Sequence, residues 1–119
     1  MAKTLVFGAS VNPGRYSNMA VRRLVDQKIE TTAFGIHGGT VSGVQIKDNL
    51  VDFQNIDTVT LYLNPTHQSE YYQKIVDLWP RRVIFNPGTE NPEFYEILEK
   101  EGIKVEVACT LVLLATGQY

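Results

Sequence analysis

The stretch that most constrains the fold is residues 3–18, which indicate a buried strand, a tight turn and the start of a helix. Leu5-Val6-Phe7 is a continuous apolar run, typical of a strand covered on both faces of a parallel sheet. Small residues follow, and Ser17 or Asn18 is predicted to cap a helix. Amide groups at a helix N-terminus are unpaired and the helix dipole favours negative charge, so this unit predicts an anion site.

Further strands and helices alternate after this first unit. Apolar runs predict four more strands, at residues 31–36, 58–63, 82–85 and 103–108. Asn64-Pro65 and Asn91-Pro92 each predict a capped helix start, and residues 109–116 predict a short terminal helix. The helix after Pro65 is expected to bury a set of apolar and aromatic side chains, namely Tyr72, Ile75, Val76 and Trp79. Because Gly43 interrupts residues 41–46, we expect a loop there with at most a short strand.

This alternation predicts an α/β fold, a three-layer, Rossmann-like, doubly wound parallel sheet with helices on both faces. In such sheets ligands bind at the carboxyl ends of the strands, where the strand order reverses. Four loops rich in Gly, Asn, Ser and Pro are therefore expected to meet at one edge: residues 8–17, 35–39, 63–66 and 86–89.

Size and charge exclude several classes of protein. A chain of 119 residues is expected to form a single domain over residues 1–119, and a net charge of -2 gives no general attraction for nucleic acid. We expect no signal peptide, since residues 1–3 lead directly into a strand, and the sequence has no apolar stretch near the ~18 residues that span a bilayer, so we expect a cytoplasmic protein. Cys109, the single cysteine, predicts neither an internal disulfide nor a zinc site.

The first loop does not match a dinucleotide site. Residues 8–14, with the sequence Gly-Ala-Ser-Val-Asn-Pro-Gly, depart from the G-x-G-x-x-G pattern. An NAD site also needs an acidic residue after the second strand, where this chain has Ile36-His37-Gly38. Arg15, by contrast, places a permanent cation in the loop, and its planar guanidinium can bind a phosphate through two hydrogen bonds. The sequence therefore favours a ligand with more phosphate than a plain dinucleotide.

These residues resemble the small stand-alone CoA-binding proteins, whose fold is similar to the N-terminal CoA-binding domain of the succinyl-CoA synthetase alpha subunit. The resemblance covers nearly the whole chain. Its strongest part is Val6-Phe7-Gly8-Ala9-Ser10 with Asn12-Pro13, Arg15 and Ser17-Asn18. Weaker matches are residues 39–44, Asn86-Pro87-Gly88 and Cys109. The resemblance implies that the ligand is coenzyme A or an acyl-CoA.

The resemblance also implies which residues bind that ligand. Gly8, Ala9 and Ser10 would approach the diphosphate through backbone and hydroxyl groups, with Arg15 and Ser17 near phosphate. His37, Leu63, Asn64, Asn86, Pro87 and Gly88 would line the path of the adenosine and the pantetheine. Asn12 and Asn18 complete the expected set of cofactor-binding residues.

Three classes of function follow from these observations. The sequence shows no Ser-His-Asp or Cys-His grouping, and its carboxylates are scattered, so it favours a non-catalytic module that binds CoA or an acyl-CoA. The second class is a separately encoded subunit of an acyl-CoA synthetase, an enzyme that uses a phosphorylated histidine, although neither His37 nor His67 is assigned that role. The third class, an NAD(P)-binding redox protein, is disfavoured by the missing acid. The apolar residues 111–114 leave a homodimer or another protein partner open, whereas neither nucleic acid nor a membrane is expected as a partner.

Overall fold

The computed structural model describes residues 2–51 and 53–119. Its strands are β1 (Lys3–Phe7), β2 (Glu30–Phe34), β3 (Gly39–Val41), β4 (Val44–Lys47), β5 (Ile56–Leu61), β6 (Arg82–Phe85) and β7 (Lys104–Val107). Its α-helices are α1 (Tyr16–Asp26), α2 (Tyr72–Leu78), α3 (Pro92–Lys100) and α4 (Thr110–Ala115), and two short 3-10 helices, Pro65–His67 and Ser69–Tyr71, precede α2. No helix within the described residues is both long enough and apolar enough to cross a membrane.

The seven strands form one sheet in the order β3-β4-β2-β1-β5-β6-β7. Every pair is parallel except β3 with β4, which run antiparallel. The chain builds outward from β1 in one direction and then, from β5 onward, in the other, so the strand order reverses between β1 and β5. The predicted Rossmann-like, doubly wound sheet is confirmed.

Strand β1 lies at the centre because its side chains are apolar on both faces. Leu5 and Phe7 pack in a cluster with residues of α2 and α3, such as Ile75 and Phe94. Val6 points the other way, into a second cluster with residues of α1 and α4. Residues 5–7 are all completely buried, as the uninterrupted apolar run predicts. The two clusters are the two interfaces of a three-layer fold.

Helix α1 begins at Tyr16, and neither Ser17 nor Asn18 caps it as predicted. The residue at the cap position is Arg15, and no side chain accepts a hydrogen bond there. The Asn18 side chain is used elsewhere, because its Nδ2 donates to the Ser10 carbonyl at 2.9 Å and its Oδ1 accepts from Arg22 Nε at 2.8 Å. The amide that was expected to cap the helix instead ties the preceding loop to it.

Residues 39–47 form a β-hairpin, where the sequence predicted a loop with at most a short strand at residues 41–46; the short strand is β4, and the pairing with β3 was not expected. Strands β3 and β4 pair through Thr40 with Gln45 and through Val41 with Val44. Ser42 and Gly43 have φ values of 49° and 80°, as required of the two central residues of a tight hairpin turn. The glycine that was interpreted as a strand breaker is thus the residue that makes the turn.

The helix predicted after Asn64-Pro65 is shorter and exposes its last aromatic residue. Asn64 does cap the first turn, since its side chain accepts from the Thr66 amide, but that turn is a 3-10 helix and α2 starts only at Tyr72. Within α2, Ile75 is fully buried. Trp79 has a left-handed φ of 49° and is 79% exposed, so its predicted burial was wrong. Trp79 is the left-handed residue that ends α2, and Pro80, directly after it, is buried.

The other predicted elements are present, although β2 and β5 each end two residues earlier than predicted, at Phe34 and at Leu61. Strand β6 occupies the predicted residues, and α4 lies within residues 109–116. Helix α3 begins after Asn91, whose side chain accepts a hydrogen bond from the Phe94 amide at 3.3 Å. Phe94 and Leu98 of α3 are fully buried, as the spacing of apolar residues predicts.

Candidate functional site

The loops that follow β1, β5 and β6 meet over the carboxyl edge of the sheet. They enclose a cleft of about 260 Å³ at the point where the strand order reverses. The residues that line it are Gly8, Ser10, Arg15, Tyr16, Ser17, Tyr62, Asn64, Pro87, Gly88 and Thr89. Three of the four loops that the sequence predicted are therefore present in its walls. The fourth, residues 35–39, does not line it.

A second, apolar hollow of about 210 Å³ continues from this cleft toward α4. Its walls are Tyr16, Tyr62, Asn86, Pro87, Cys109 and Leu111. Tyr16, Tyr62 and Pro87 belong to both hollows, so the two are neighbouring parts of one site. One part is polar and lies at the start of a helix, whereas the other is apolar, an arrangement that suits a ligand with unlike ends.

Gly8 allows the first two loops to come this close together. It follows β1 with a φ of 98°, and a Cβ atom placed on it would lie 3.3 Å from the Tyr62 carbonyl carbon and 3.4 Å from the Leu63 nitrogen. Both the backbone conformation and the contact exclude a larger residue without a shift of the chain. Gly8 is therefore a position of close backbone approach between the loops after β1 and β5.

The amides of Gly8 and Ala9 are not free donors, in contrast to the expectation from the sequence. Both donate to the Phe34 carbonyl at the end of β2, at 2.9 and 2.8 Å. The parallel register places Phe34 opposite Phe7, so this carbonyl lies directly beside the turn. The prediction that these two amides approach a diphosphate through unpaired N–H groups is wrong.

Ser10 and Asn12 of the first loop, together with Asn18 of α1, use their side chains to hold this loop. The Asn12 amide donates to Ser10 Oγ at 3.1 Å, and Asn12 Oδ1 accepts from the Gly14 amide at 2.9 Å. Asn18 is 3% exposed and binds the Ser10 carbonyl, as described above. Asn12 and Asn18 line neither hollow, so the structure gives them a role in shaping the loop.

The groups that remain available to an anion are at the first turn of α1. The amides in the first turn of an α-helix have no intrahelical acceptor, and in α1 no side chain caps them. Arg15 is exposed directly before this turn, and Ser17, which is 5% exposed, lines the cleft within it. A positive side chain, a hydroxyl and the positive end of the helix dipole thus face the same small space.

Asn86 builds the wall between the cleft and α4. Its Nδ2 donates to Thr60 Oγ1 at 2.8 Å and to the Leu61 carbonyl at 3.0 Å, while its Oδ1 accepts from the Thr110 amide at 2.8 Å. The residue is 1% exposed. Its polar atoms therefore join the end of β6 to β5 and to the first residue of α4, and leave Pro87 and Gly88 exposed in the wall.

The remaining predicted residues lie around the site without all entering it. Asn64 lines the cleft while its Oδ1 accepts from the Thr66 amide at 3.0 Å. Leu63 is half-buried and packs against the core cluster that contains Phe7. His37 is exposed in the loop after β2 and lines neither hollow. The structure thus brings together Gly8, Ser10, Arg15, Ser17, Asn64, Asn86, Pro87 and Gly88, but not Ala9, Asn12, Asn18, His37 and Leu63.

Sequence reasoning missed five residues of the walls, namely Tyr16, Tyr62, Thr89, Cys109 and Leu111. Tyr62 lies directly after β5 at the carboxyl edge of the sheet, whereas the strand predicted over residues 58–63 placed it inside the strand, facing either the core or the site. Its ring lines both hollows, and its hydroxyl is buried with no hydrogen-bond partner among the described residues. Thr60 and Thr110, whose hydroxyls hydrogen-bond each other at 2.8 Å, are close to it. Burial of the phenol raises the pKa of Tyr62 to about 12.

The shifted pKa of Tyr62 predicts a loss of stability in alkali. The phenol has an ordinary pKa of 10.0 in the unfolded chain and about 12 in the folded one, so its contribution is complete below pH 10 and is lost as pH rises toward 12. Two pKa units correspond to about 2.7 kcal/mol. In urea titrations, Tyr62→Phe should therefore lose less free energy of unfolding than the wild type between pH 10 and 12. Tyr16→Phe, at a residue that is 69% exposed, should behave as the wild type, and equal losses in all three proteins would contradict the assignment.

A larger hollow, of about 730 Å³, lies between α2 and the chain that follows β4. Its floor contains Phe34 and Tyr71, and its walls carry the carboxylates Asp48 and Asp77 beside one cation, Lys74. It contains none of the loops at the point of strand reversal, and its net negative walls do not suit a phosphate. We therefore take the smaller cleft as the candidate functional site. Over residues 2–51 and 53–119, no three His, Cys, Asp or Glu side chains lie close enough together to hold a metal ion.

Comparisons with known proteins agree with this architecture. A family model described as a CoA binding domain matches residues 2–115. The crystal structure of an uncharacterized protein is 44% identical, with a TM-score of 0.96 over 100% of this chain and 98% of the other. A Thermus thermophilus protein shares 22% identity, with a TM-score of 0.87 over 99% of this chain and 90% of its own. A conserved hypothetical protein from Pyrococcus furiosus shares 21%, with a TM-score of 0.78 over 89% and 92%. The search of curated proteins gives no match.

Proposed function

Since the chain belongs to the CoA binding domain family, we propose that it binds coenzyme A or an acyl-CoA in the cleft at the carboxyl edge of its sheet. The observation that carries this proposal is the meeting of three loops with the first turn of α1 where the strand order reverses. Coenzyme A has a phosphate-rich end and a long, less polar arm, and the two neighbouring hollows differ in the same way.

The phosphates would lie at the first turn of α1. There the unpaired amides of Tyr16, Ser17 and Asn18 and the helix dipole attract negative charge, and Arg15 can donate two parallel hydrogen bonds to one phosphate. The hydroxyl of Ser17 would add a neutral donor. Because the amides of Gly8 and Ala9 already donate to the Phe34 carbonyl, we propose that the diphosphate lies at the end of the loop next to α1.

The pantetheine arm would follow the apolar hollow between Tyr62 and Pro87 toward Leu111. Asn86 lines this hollow, but its side-chain amide is already hydrogen-bonded to Thr60, Leu61 and Thr110. It would therefore form part of the wall without donating a hydrogen bond to the ligand. His37 and Leu63 stay proposed contacts for the adenosine, which would reach them by extending past Gly8 toward the loop after β2.

Binding of the proposed ligand should raise the melting temperature of the protein. A ligand that binds the folded chain at 100 times its Kd stabilises it by about 2.7 kcal/mol, which corresponds to roughly 10 °C for a domain of this size. We expect such a shift with CoA or acetyl-CoA and none with NADH or NADPH, measured by differential scanning calorimetry. Stabilisation by NADH alone would show that the ligand is a dinucleotide and would overturn the proposal.

We further propose that the chain binds its ligand without transforming it. Across the described part of the chain, the walls of both hollows contain no Asp, Glu, His or Lys side chain to serve as a general acid or base, and among weaker acids they hold the phenols of Tyr16 and Tyr62 and the thiol of Cys109. A subunit of an acyl-CoA synthetase would have to obtain such groups from a partner chain. The purified chain is therefore expected to give no ATP- or GTP-dependent ligation of CoA to a carboxylic acid in a thioester assay. Turnover by the chain alone would contradict the proposal.

A further inference from the structure

The side chain of Arg22, in the second turn of α1, connects this helix to the loop after β1. Its Nε donates to Asn18 Oδ1 at 2.8 Å, and its Nη2 donates to the Pro13 carbonyl at 3.2 Å. Asn18 continues the connection, because its Nδ2 donates to the Ser10 carbonyl at 2.9 Å. We call these three hydrogen bonds the Arg22 clamp. They hold the loop at two points, Ser10 and Pro13, against one face of the helix.

The loop that the clamp holds has few other restraints. Residues 11–16 are exposed and belong to no strand of the sheet. The Gly8 and Ala9 amides fix the start of the loop on Phe34, but within residues 10–15 the remaining hydrogen bonds that the structure describes are local turns, from the Asn12 amide to Ser10 Oγ, from the Gly14 amide to Asn12 Oδ1 and from the Arg15 amide to the Asn12 carbonyl. Such short-range bonds define a turn but do not fix its position over a helix. The clamp supplies that position.

Arg22 itself is separated from the cleft. It lines neither hollow, and two acceptors of its own chain occupy its guanidinium. A positive charge on α1 would attract an anion from a distance whether or not it contacts the loop. Arg23, the next residue, carries the same charge, but in the described chain its side chain makes no hydrogen bond to the loop. The feature that distinguishes Arg22 is thus its contact with the loop rather than its charge.

We propose that Arg22 is a positioning residue for the phosphate site. It holds residues 10–15 in the conformation that presents Arg15 and the first turn of α1 to the same phosphate, before any ligand is present. A loop ordered in advance lowers the entropy that binding must lose, so the clamp increases affinity without touching the ligand. This inference rests on the proposed function, because it names a residue on which that binding depends.

The test compares three variants by amide hydrogen exchange and by calorimetry with CoA. Arg22→Ala removes the two hydrogen bonds of the clamp that Arg22 donates, and Arg22→Lys keeps the charge but cannot donate in two directions from a planar group. In both, the amides of Asn12, Gly14 and Arg15 should exchange about tenfold faster in the ligand-free protein, and the Kd for CoA should rise by about tenfold, equal to about 1.4 kcal/mol of local and binding free energy. Arg23→Ala, with the same loss of charge as Arg22→Ala, should change neither quantity. Circular dichroism identifies any variant that fails to fold, and Arg22→Lys then supplies the decisive comparison.

The two measurements separate the alternatives. Weaker binding with unchanged exchange would mean that Arg22 contacts the ligand directly, and faster exchange with unchanged binding would mean that the order of the loop does not limit affinity. Either result overturns the inference while leaving CoA binding intact. A wild-type protein that binds no CoA would instead overturn the proposed function, irrespective of how the loop amides exchange.

Discussion

Replacing Asn86 with alanine is expected to lower the free energy of unfolding by about 3 kcal/mol. The side chain is 1% exposed and makes three hydrogen bonds, to Thr60, Leu61 and Thr110. Truncation leaves the Leu61 carbonyl and the Thr110 amide without these partners in a buried place, and each unsatisfied group costs about 1–3 kcal/mol. The cost is large because Asn86 joins β5, β6 and α4 at one point.

Urea unfolding followed by circular dichroism measures this loss. Asn12→Ala is a matched control, since it truncates an exposed asparagine whose side chain accepts a single hydrogen bond from a local amide, and it should cost at most about 1 kcal/mol. Asn86→Asp should also destabilise the protein, because a carboxylate can accept from Thr110 but cannot donate to the Leu61 carbonyl. If Asn86→Ala and Asn12→Ala changed stability equally, the buried network would not have the importance assigned to it.

Replacing Arg15 with alanine should weaken the binding of CoA by about 1.5–3 kcal/mol, the range for a hydrogen bond to a charged group. This corresponds to a Kd roughly 10 to 150 times higher. The side chain is exposed, and its backbone amide, which donates to the Asn12 carbonyl at 3.0 Å, is retained in the variant. We therefore expect the melting temperature of the ligand-free protein to stay within about 2 °C of the wild type.

Two further variants distinguish a specific contact from general charge. Arg15→Lys retains the cation but not the planar pair of donors, so its Kd should lie between those of the wild type and Arg15→Ala. Arg23→Ala removes one positive charge from the last turn of α1, far from its first turn, and should leave the Kd within about twofold. Unchanged affinity in Arg15→Ala would remove this residue from the phosphate site.

The position of the site could be predicted from sequence to a useful degree. Apolar runs locate the ends of β1, β5 and β6, and parallel strands bring those ends to one edge, so the loops at Gly8, Asn64 and Pro87 were expected to meet. The CoA-binding resemblance, which rested mainly on residues 6–18, is confirmed by the family match over residues 2–115. Residue types at strand ends therefore carried most of this information.

The individual hydrogen bonds of the site could not be predicted in the same way. Ser17 and Asn18 both have side chains that commonly cap helices, yet one lines the cleft and the other binds Ser10 and Arg22. A short polar side chain has several partners within reach, and the choice among them depends on the path of the loop. The path of the loop in turn depends on contacts with residues distant in the sequence, which a local sequence pattern does not predict.

The sequence by itself determined the alternation of the main strands and helices, the burial of β1 and the edge at which the loops gather, because these follow from the periodicity and the capping chemistry of neighbouring residues. The β3-β4 hairpin did not follow from it. The tertiary structure alone decided which donors face a ligand. The amides of Gly8 and Ala9 are occupied since the register of β1 with β2 brings the Phe34 carbonyl, 25 residues away from Ala9, to within 2.9 Å of them. Hydrogen bonds saturate, so a donor that meets a distant acceptor in the fold is no longer available to a phosphate, whatever its local sequence suggests.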